Sequence, residues 1–319
     1  MNKLIALIVS AVVVAVATAT GAVAAEPLKI VLGYPPGASS DTISRLIADK
    51  MSASLGRPVI VENKPGAAGI VANLAVKAAP PDGNTLLMTP LANMVAFPHS
   101  YSKLRYDPFK DYVPVAHVAA FQLSFGVGAS VPAKSLKEYA ALAGKGGPYA
   151  NFASAAVGSL PHFFGLMFAK AAGINLVHVP YKGTANVLQA IVSGEIPAAV
   201  VPIADIGTLA KASKARMLAV SAGNRSPQYP DVPTFKESGY DIEGAAWYAL
   251  YAPAGTPKDI VDKLAKAAID AVHQSDLRQK IEPLGLEATG LGPDELAKIM
   301  KADYEKWGPV IKASGFKAD

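Results

Sequence analysis

The octapeptide Tyr34-Pro-Pro-Gly-Ala-Ser-Ser-Asp41 separates a short apolar run, 29–33, from a segment whose apolar residues recur at helical spacing, 42–55. This pattern predicts a strand, a tight loop and the start of a helix. The first N–H groups of a helix lack partners, and the helix dipole favours negative charge there. A loop rich in glycine and hydroxyl groups at this place is therefore suited to hold an anion.

Strand-like and helical patterns alternate in two separate parts of the chain. In the first part, strands are predicted at 29–33, 58–62 and 85–88, with helices at 42–55 and from about 70 to 79. In the second part, strands are predicted at 149–153, 176–180 and 196–201, with helices at 160–172 and 185–193. Such alternation is typical of βαβ units with a mostly parallel sheet, so two similar α/β modules are expected.

Two apolar stretches, 113–127 and 244–252, each have the character of a long strand that crosses from one module to the other. After Pro257 the pattern is helical, and these last helices are expected to return to the first module. The prediction is two domains: a discontinuous one, 26–126 with 246–319, and a continuous one, 127–245.

The first 25 residues have Lys3 as their only charge, followed by an apolar run and then by small residues. This composition predicts a secretory signal peptide, 1–25, cleaved after Ala24 or Ala25. The apolar run is shorter than the roughly 20 residues of a membrane span, although an uncleaved anchor remains the alternative. The chain contains no cysteine, so neither a disulfide nor a lipid anchor on cysteine is expected, and the predicted location is the periplasm.

The formal net charge is +5, without any block of five basic residues, so nucleic acid is not an expected partner. No G-x-S-x-G turn, Walker loop, H-E-x-x-H or dinucleotide motif occurs. The histidines lack the spacing of metal ligands, and neither a metal nor a cofactor is predicted. These residues are His99, His117, His162, His178 and His273.

Ligands of open α/β sheets bind beyond the carboxyl ends of the strands, where loops lead into helices. Four loops have this position, 34–41, 89–93, 154–159 and 181–184. Alternatives stay open at each of them. Serines and aspartates at helix starts also serve as caps, His162 can simply pack beside its phenylalanine neighbours, and Lys182 can be solvated. Trp247 and Tyr248 are expected in the core.

Seven segments occur here in an order that resembles the substrate-binding proteins of tripartite tricarboxylate transporters, known as TctC or Bug-type proteins. The resemblance covers essentially all of the chain after the predicted signal peptide. The segments are Tyr34-Pro-Pro-Gly-Ala-Ser-Ser-Asp41, Leu55-Gly-Arg-Pro-Val-Ile-Val-Glu-Asn-Lys-Pro-Gly-Ala-Ala-Gly69, Ala79-Pro-Pro-Asp-Gly83, Tyr106-Asp-Pro-Phe-Lys-Asp111, His178-Val-Pro-Tyr-Lys-Gly183, Asp231-Val-Pro-Thr234 and Ala252-Pro-Ala-Gly-Thr-Pro257.

The resemblance implies an α/β, two-domain periplasmic binding protein fold, type II-like, with two hinge-crossing strands and a ligand cleft between the domains. It also implies that backbone N–H groups, hydroxyls and water hold a carboxylate. Transferred by position, the ligand-binding residues of the first domain are Tyr34, Gly37, Ala38, Ser39, Asp41, Thr89 and Asn93. Those of the second domain are Ser154, Ala156, Gly158, Ser159, His162, Gly183 and Thr184.

This sequence departs from the family pattern at several positions. Alanines stand at 38 and 156 where glycine is usual, Asn84 stands where tyrosine is usual, and 197–202 is apolar where an aspartate is frequent. The hypothesis that follows is a monocarboxylate, or another acid with an apolar body, as the ligand.

The predicted function is capture of a small organic acid and its delivery to membrane permease subunits of a tripartite tricarboxylate-type transporter. The protein is predicted to be a monomer and not an enzyme. Two alternatives are an exported hydrolase that uses Ser159 and His162, and a ligand-loaded sensor that contacts a membrane receptor.

Overall fold

The computed structural model describes residues 26–318, so the predicted signal peptide lies outside the described residues. Strands of this part of the chain are β1 Leu28–Leu32, β2 Val59–Asn63, β3 Thr85–Pro90, β4 Tyr112–Phe121, β5 Leu123–Gly128, β6 Asn151–Ser154, β7 Val177–Pro180, β8 Ala198–Pro202, β9 Ala215–Val220, β10 Ala246–Pro253 and β11 Leu286–Leu291.

Its α-helices are α1 Ser39–Leu55, α2 Ile70–Lys77, α3 Phe97–Ser100, α4 Leu136–Ala143, α5 Leu160–Ala172, α6 Thr184–Ser193, α7 Ile203–Lys211, α8 Lys258–Val272, α9 Ser275–Ile281 and α10 Pro293–Ala313. A π-helical turn, Ala92–Ala96, leads into α3. The predicted helices at 42–55, 70–79, 160–172 and 185–193 are confirmed by α1, α2, α5 and α6. Sequence patterns did not predict α7, β9 or β11.

The strands form two mixed sheets. The six-stranded sheet has the order β11-β4-β10-β3-β1-β2, in which β1 runs parallel to β2 and β3 while β10 and β11 are antiparallel to their neighbours. The five-stranded sheet has the order β7-β6-β8-β5-β9, with β6 parallel to β7 and β8. We call each sheet with its helices a lobe, the first being six-stranded and the second five-stranded.

The chain passes between the lobes at two adjacent places. Only Gln122 separates β4 of the first sheet from β5 of the second. The chain returns from the second lobe to the first after β9. There, Ser221 N–H donates to Leu123 O at 2.9 Å, and Gly244 N–H donates to Ser221 O at 2.9 Å. The two crossings therefore lie side by side, as a hinge requires. Division of the chain at 126 and 246 stays a prediction, since the sheets themselves change at Gln122 and before Ala246.

Apolar strands account for the core. Every residue of β8 and β10 is buried, which is typical of strands covered by helices on both faces. One apolar cluster includes Phe121 and Leu123 at the crossing together with side chains of both lobes. A second cluster lies in the second lobe and includes Val187, Ile191 and Ile206 of α6 and α7. Within residues 26–318, no helix is long and apolar enough to cross a membrane.

Candidate functional site

A cleft of about 60 Å³ lies where the two lobes face each other. This volume is small, so the lobes lie close to one another. Its walls come from the first turns of α1, α5 and α6, the end of β3, and the strands at the crossing. The lining residues are Tyr34, Ala38, Ser40, Pro90, Leu91, Ala92, Phe121, Leu123, Ala155, Ala156, Ser159, Leu160, Pro161, Thr184, Pro202, Ala246 and Tyr248.

The start of α1 reaches the cleft through Ala38 and Ser40. Ala38 precedes the helix in an extended conformation and provides no side-chain cap. Asp41, in the first turn, faces away from the cleft lining. Its carboxylate accepts hydrogen bonds from Arg45 Nη2 at 2.9 Å and from Asn63 Nδ2 and Gly37 N–H. Burial raises the pKa of Asp41, but these hydrogen bonds outweigh it and hold the pKa below its ordinary value.

The ring of Tyr34 lines the cleft, and its hydroxyl points away from the cleft toward Ala68 and Asn93. The hydroxyl lies 3.1 Å from both Ala68 O and Asn93 Oδ1, and burial raises the pKa of this phenol. Asn93 is fully buried and donates to Asn73 Oδ1 at 3.1 Å. Thr89 is buried within β3. Asn93 and Thr89 therefore support the wall of the cleft, and neither side chain is among its lining residues.

The start of α5 is organised by hydrogen bonds within its own loop. Ser159 caps the helix, with Oγ accepting from His162 N–H at 3.4 Å and donating to Ala156 O at 2.7 Å. Gly158 N–H donates to His162 Nδ1 at 3.1 Å. Burial lowers the pKa of His162 to about 4, so the imidazole is neutral near pH 7. The Ser154 hydroxyl lies 2.7 Å from His178 Nε2.

The start of α6 brings the second lobe against the first. Gly183 has a φ of 101°, and a Cβ there would lie 2.8 Å from Pro35 Cδ. Only glycine combines this backbone conformation with so close an approach. Thr184, the first residue of α6, lines the cleft. Lys182 is exposed.

Five of the fourteen predicted ligand-binding residues line the cleft, and nine lie just outside its lining. The five are Tyr34, Ala38, Ala156, Ser159 and Thr184. The nine are Gly37, Ser39, Asp41, Thr89, Asn93, Ser154, Gly158, His162 and Gly183. Direct contact of any of them with a ligand stays a prediction.

Sequence reasoning did not single out Ser40, Phe121, Leu123 or Pro202 as wall residues, and it assigned Tyr248 to the core. Tyr248 is buried and also lines the cleft. Trp247 lies in the core, and its indole N–H donates a hydrogen bond to Asp303 Oδ2 at 2.8 Å. Pro202 is where β8 meets α7, a fifth strand-to-helix junction. Recognition of α7 would have led to it by the same rule that selected the other four.

The cleft offers hydrogen-bond donors without positive side chains. None of its lining residues is Lys, Arg or His. Within residues 26–318, the backbone N–H groups of Ser40, Leu160 and Thr184 donate to no protein acceptor. These three groups belong to three different helix starts. An anion in the cleft would therefore be held by N–H groups, hydroxyls and helix dipoles.

A family model described as the tripartite tricarboxylate transporter family receptor, TctC, matches residues 43–316 of this chain. The chain belongs to the TctC family. The fold of this TctC-family protein is that of periplasmic binding proteins, which confirms the predicted fold class. BugD, a periplasmic binding protein of known structure, is 29% identical with a TM-score of 0.87, and the match covers 91% of this chain and 98% of BugD.

Two further similar structures contain ligands. MatC from Rhodopseudomonas palustris, solved with bound malate, is 32% identical with a TM-score of 0.86 and covers 89% of this chain and 98% of its own. Rpa4515 from R. palustris, solved with adipate, is 27% identical with a TM-score of 0.87 and covers 91% and 98% respectively.

TctC-family proteins are solute-binding receptors, and the geometry here does not favour the hydrolase alternative. The Ser159 hydroxyl donates to a backbone carbonyl, and the His162 imidazole accepts from a backbone N–H. A nucleophilic serine requires its hydroxyl to donate to the general base.

Proposed function

We propose that this protein is a periplasmic receptor that closes on a small organic carboxylate and delivers it to the membrane permease subunits of a tripartite tricarboxylate-type transporter. The observation that carries the proposal is the convergence of three helix starts, α1, α5 and α6, on one nearly closed cleft between hinged lobes. Malate in MatC and adipate in Rpa4515 support a carboxylate as the class of ligand.

Closure follows from the way the lobes are joined. The two crossings lie together on one side, so small rotations there would open the cleft on the other. A ligand that contacts both lobes stabilises the closed state by its additional contacts in that state. Because the cleft between the lobes is small, about 60 Å³, we expect the lobes to move apart when an acid enters.

The walls favour an acid with an apolar body. Phe121, Leu123 and Leu91 face the cleft together with several alanines and prolines, while its hydrogen-bond donors are confined to the helix starts. An aliphatic or aromatic carboxylate places its charge on the N–H groups and its body on the apolar surface.

The test is a thermal-shift and calorimetric screen of the protein without its signal peptide against aliphatic monocarboxylates, aromatic acids, dicarboxylates and citrate. We expect at least one carboxylate to raise the melting temperature and to bind with a one-to-one stoichiometry. Native mass spectrometry of freshly purified protein identifies any acid that co-purifies. Absence of binding by every carboxylate class would contradict the proposal.

A matched pair of variants locates the site. Thr184→Ala removes a hydroxyl from the cleft, whereas Thr208→Ala makes the same change on the exposed face of α7. We expect weaker binding of the selected acid for Thr184→Ala only. Delivery is tested by uptake of that acid, isotopically labelled, in cells with and without the receptor, and export by fractionation of cells that express the full chain.

A further inference from the structure

Asp205, the third residue of α7 in the second lobe, reaches across to the start of α1 in the first. Ser39 N–H donates to Asp205 Oδ1 at 2.8 Å, and Ser39 Oγ donates to Oδ2 at 3.1 Å. The same Ser39 hydroxyl lies 3.2 Å from the Tyr248 hydroxyl in the cleft wall. The first N–H of α1 is thus already satisfied by a carboxylate of the protein itself.

The charge of Asp205 is not balanced by a cation. Among the residues that the structure describes, no Lys, Arg or His forms an ion pair with it, whereas the nearby Asp41 is paired with Arg45. Ser39 of α1 faces Asp205 directly, and the hydroxyl of Tyr248 on β10 lies beside the Ser39 hydroxyl. Both of these side chains are neutral. Two helix N-termini, those of α1 and of α7 itself, stabilise the carboxylate.

Burial raises the pKa of Asp205 to about 6, although the hydrogen bonds from Ser39 oppose that shift. The carboxylate is therefore ionised at a pH of about 7.5. It places a fixed negative charge beside Ala38 and Ser40, which line the α1 side of the cleft. The starts of α5 and α6 on the opposite side have no acidic residue in their first turns.

This arrangement gives the cleft two unequal ends. A ligand carboxylate is favoured at the α5 and α6 starts, and a second carboxylate at the α1 start would lie near Asp205, which already accepts a hydrogen bond from the first N–H of that helix. Like charges that lie close together repel one another, and partial burial strengthens that repulsion because water screens it less. No lining side chain supplies a positive charge to offset that repulsion.

We propose that Asp205 is the residue that restricts this receptor to acids with a single carboxylate, by occupying the anion position at the N-terminus of α1. The inference rests on the proposed function and names its ligand class. The part of the ligand that faces α1 is apolar or carries a hydroxyl or an ammonium group.

The test compares acids of equal chain length that differ by one carboxylate, hexanoate against adipate and butyrate against succinate, by calorimetry at a pH of about 7.5. In wild-type protein we expect the monocarboxylate of a pair to bind at least about tenfold more tightly. In Asp205→Asn, which keeps the shape and removes the charge, we expect this ratio to fall by about tenfold or more.

The matched control is Asp231→Asn, an exposed aspartate outside the cleft lining. It removes the same charge and should leave the ratio unchanged. Tighter or equal binding of the dicarboxylates by wild-type protein would overturn the assignment while leaving the proposed function intact. So would an unchanged ratio in Asp205→Asn.

The wild-type ratio decides the question even if Asp205→Asn does not fold. If no acid of the screen binds wild-type protein, the proposed function fails, and the role of Asp205 fails with it. Binding of dicarboxylates alone separates the two outcomes, because it supports the receptor and contradicts the restriction.

Discussion

The imidazole rings of His162 and His178 stack in the second lobe, with their centroids 3.8 Å apart and their planes 23° from parallel. Phe316, beyond the end of α10, packs edge-on against His162 at 4.5 Å. Burial lowers the pKa of His162 to about 4 and that of His178 to about 3, the latter also by repulsion from His162. Both rings are therefore neutral near pH 7, and protonation of either would place a buried charge against the other.

The stacked pair predicts loss of stability in acid. The unfolded chain takes up these protons near pH 6.5 and the folded chain only near pH 3 to 4. The free energy of unfolding should therefore be constant above about pH 6.5 and should fall below it, by up to about 1.4 kcal/mol per pH unit for each histidine. Urea unfolding between about pH 7.5 and pH 4.5 measures the slope.

His162→Gln should flatten that dependence. Equal slopes for wild type and His162→Gln would show that His162 does not titrate in this way.

Asp205 predicts the opposite dependence over part of the same range. Burial raises its pKa from 3.8 to about 6, so between these values the folded state binds the proton more tightly than the unfolded state. Its contribution to stability therefore decreases as pH rises through this window and offsets part of the histidine effect. Asp205→Asn should make the acid-induced loss between about pH 6 and pH 4.5 steeper than in wild type. Parallel unfolding curves would contradict the raised pKa.

Substitution of Gly183 should reduce ligand affinity by more than its effect on stability explains. A Cβ at this position would lie 2.8 Å from Pro35 Cδ in the other lobe, at a φ of 101°. Gly183→Ala should therefore keep the lobes apart and weaken binding of the acid selected in the screen by at least about tenfold, in addition to a backbone cost of about 1 to 3 kcal/mol. Calorimetry measures the affinity and thermal unfolding the stability.

Gly194, at the other end of α6, is the control for alanine at a positive φ without a close neighbour. It has a φ of 78°, and a Cβ there would meet nothing within 4 Å. Gly194→Ala should lose about 1 kcal/mol of stability, the cost of the left-handed conformation, and keep its affinity. Equal losses of affinity in the two variants would rule out steric separation of the lobes as the cause.

Ser159 both caps α5 and lines the cleft, so its substitution should affect stability and binding. Ser159→Ala removes a helix cap, which should cost about 1 kcal/mol of stability, and it removes a hydroxyl that lines the cleft. Ser135 caps α4 in the same way, with Oγ accepting from Glu138 N–H at 3.2 Å, and it is not among the cleft-lining residues. Both variants should lose similar stability by urea unfolding, and only Ser159→Ala should bind the selected acid more weakly.

Local pattern was sufficient for most of the secondary structure. The limits of α5, 160–172, follow from its apolar spacing, from Ser159 as cap and from Gly173 at its end, all of which lie within one short segment. The unpredicted β11 pairs with β4, with Leu286 opposite Phe121. No local signal connects residues so far apart in sequence.

For the candidate site, the sequence indicated which loops take part, and the fold decided which atoms face the cleft. Tyr34, Ala38 and Ser159 are on the cleft as expected, whereas Asp41 and Asn93 direct their polar groups behind it, toward Arg45 and Asn73. Whether a side chain at a helix start faces a ligand or a neighbour depends on the packing of segments distant in sequence.

The sequence by itself determined the α/β class, the two modules, the family and the four loops, because periodicity, capping residues and glycine-rich turns act over a few neighbouring positions. Only the tertiary structure decided that Asp205 satisfies the first N–H of α1, across 166 positions of sequence. That contact exists because the two lobes meet at their helix starts. The charge of the cleft depends on this meeting, which no local pattern encodes.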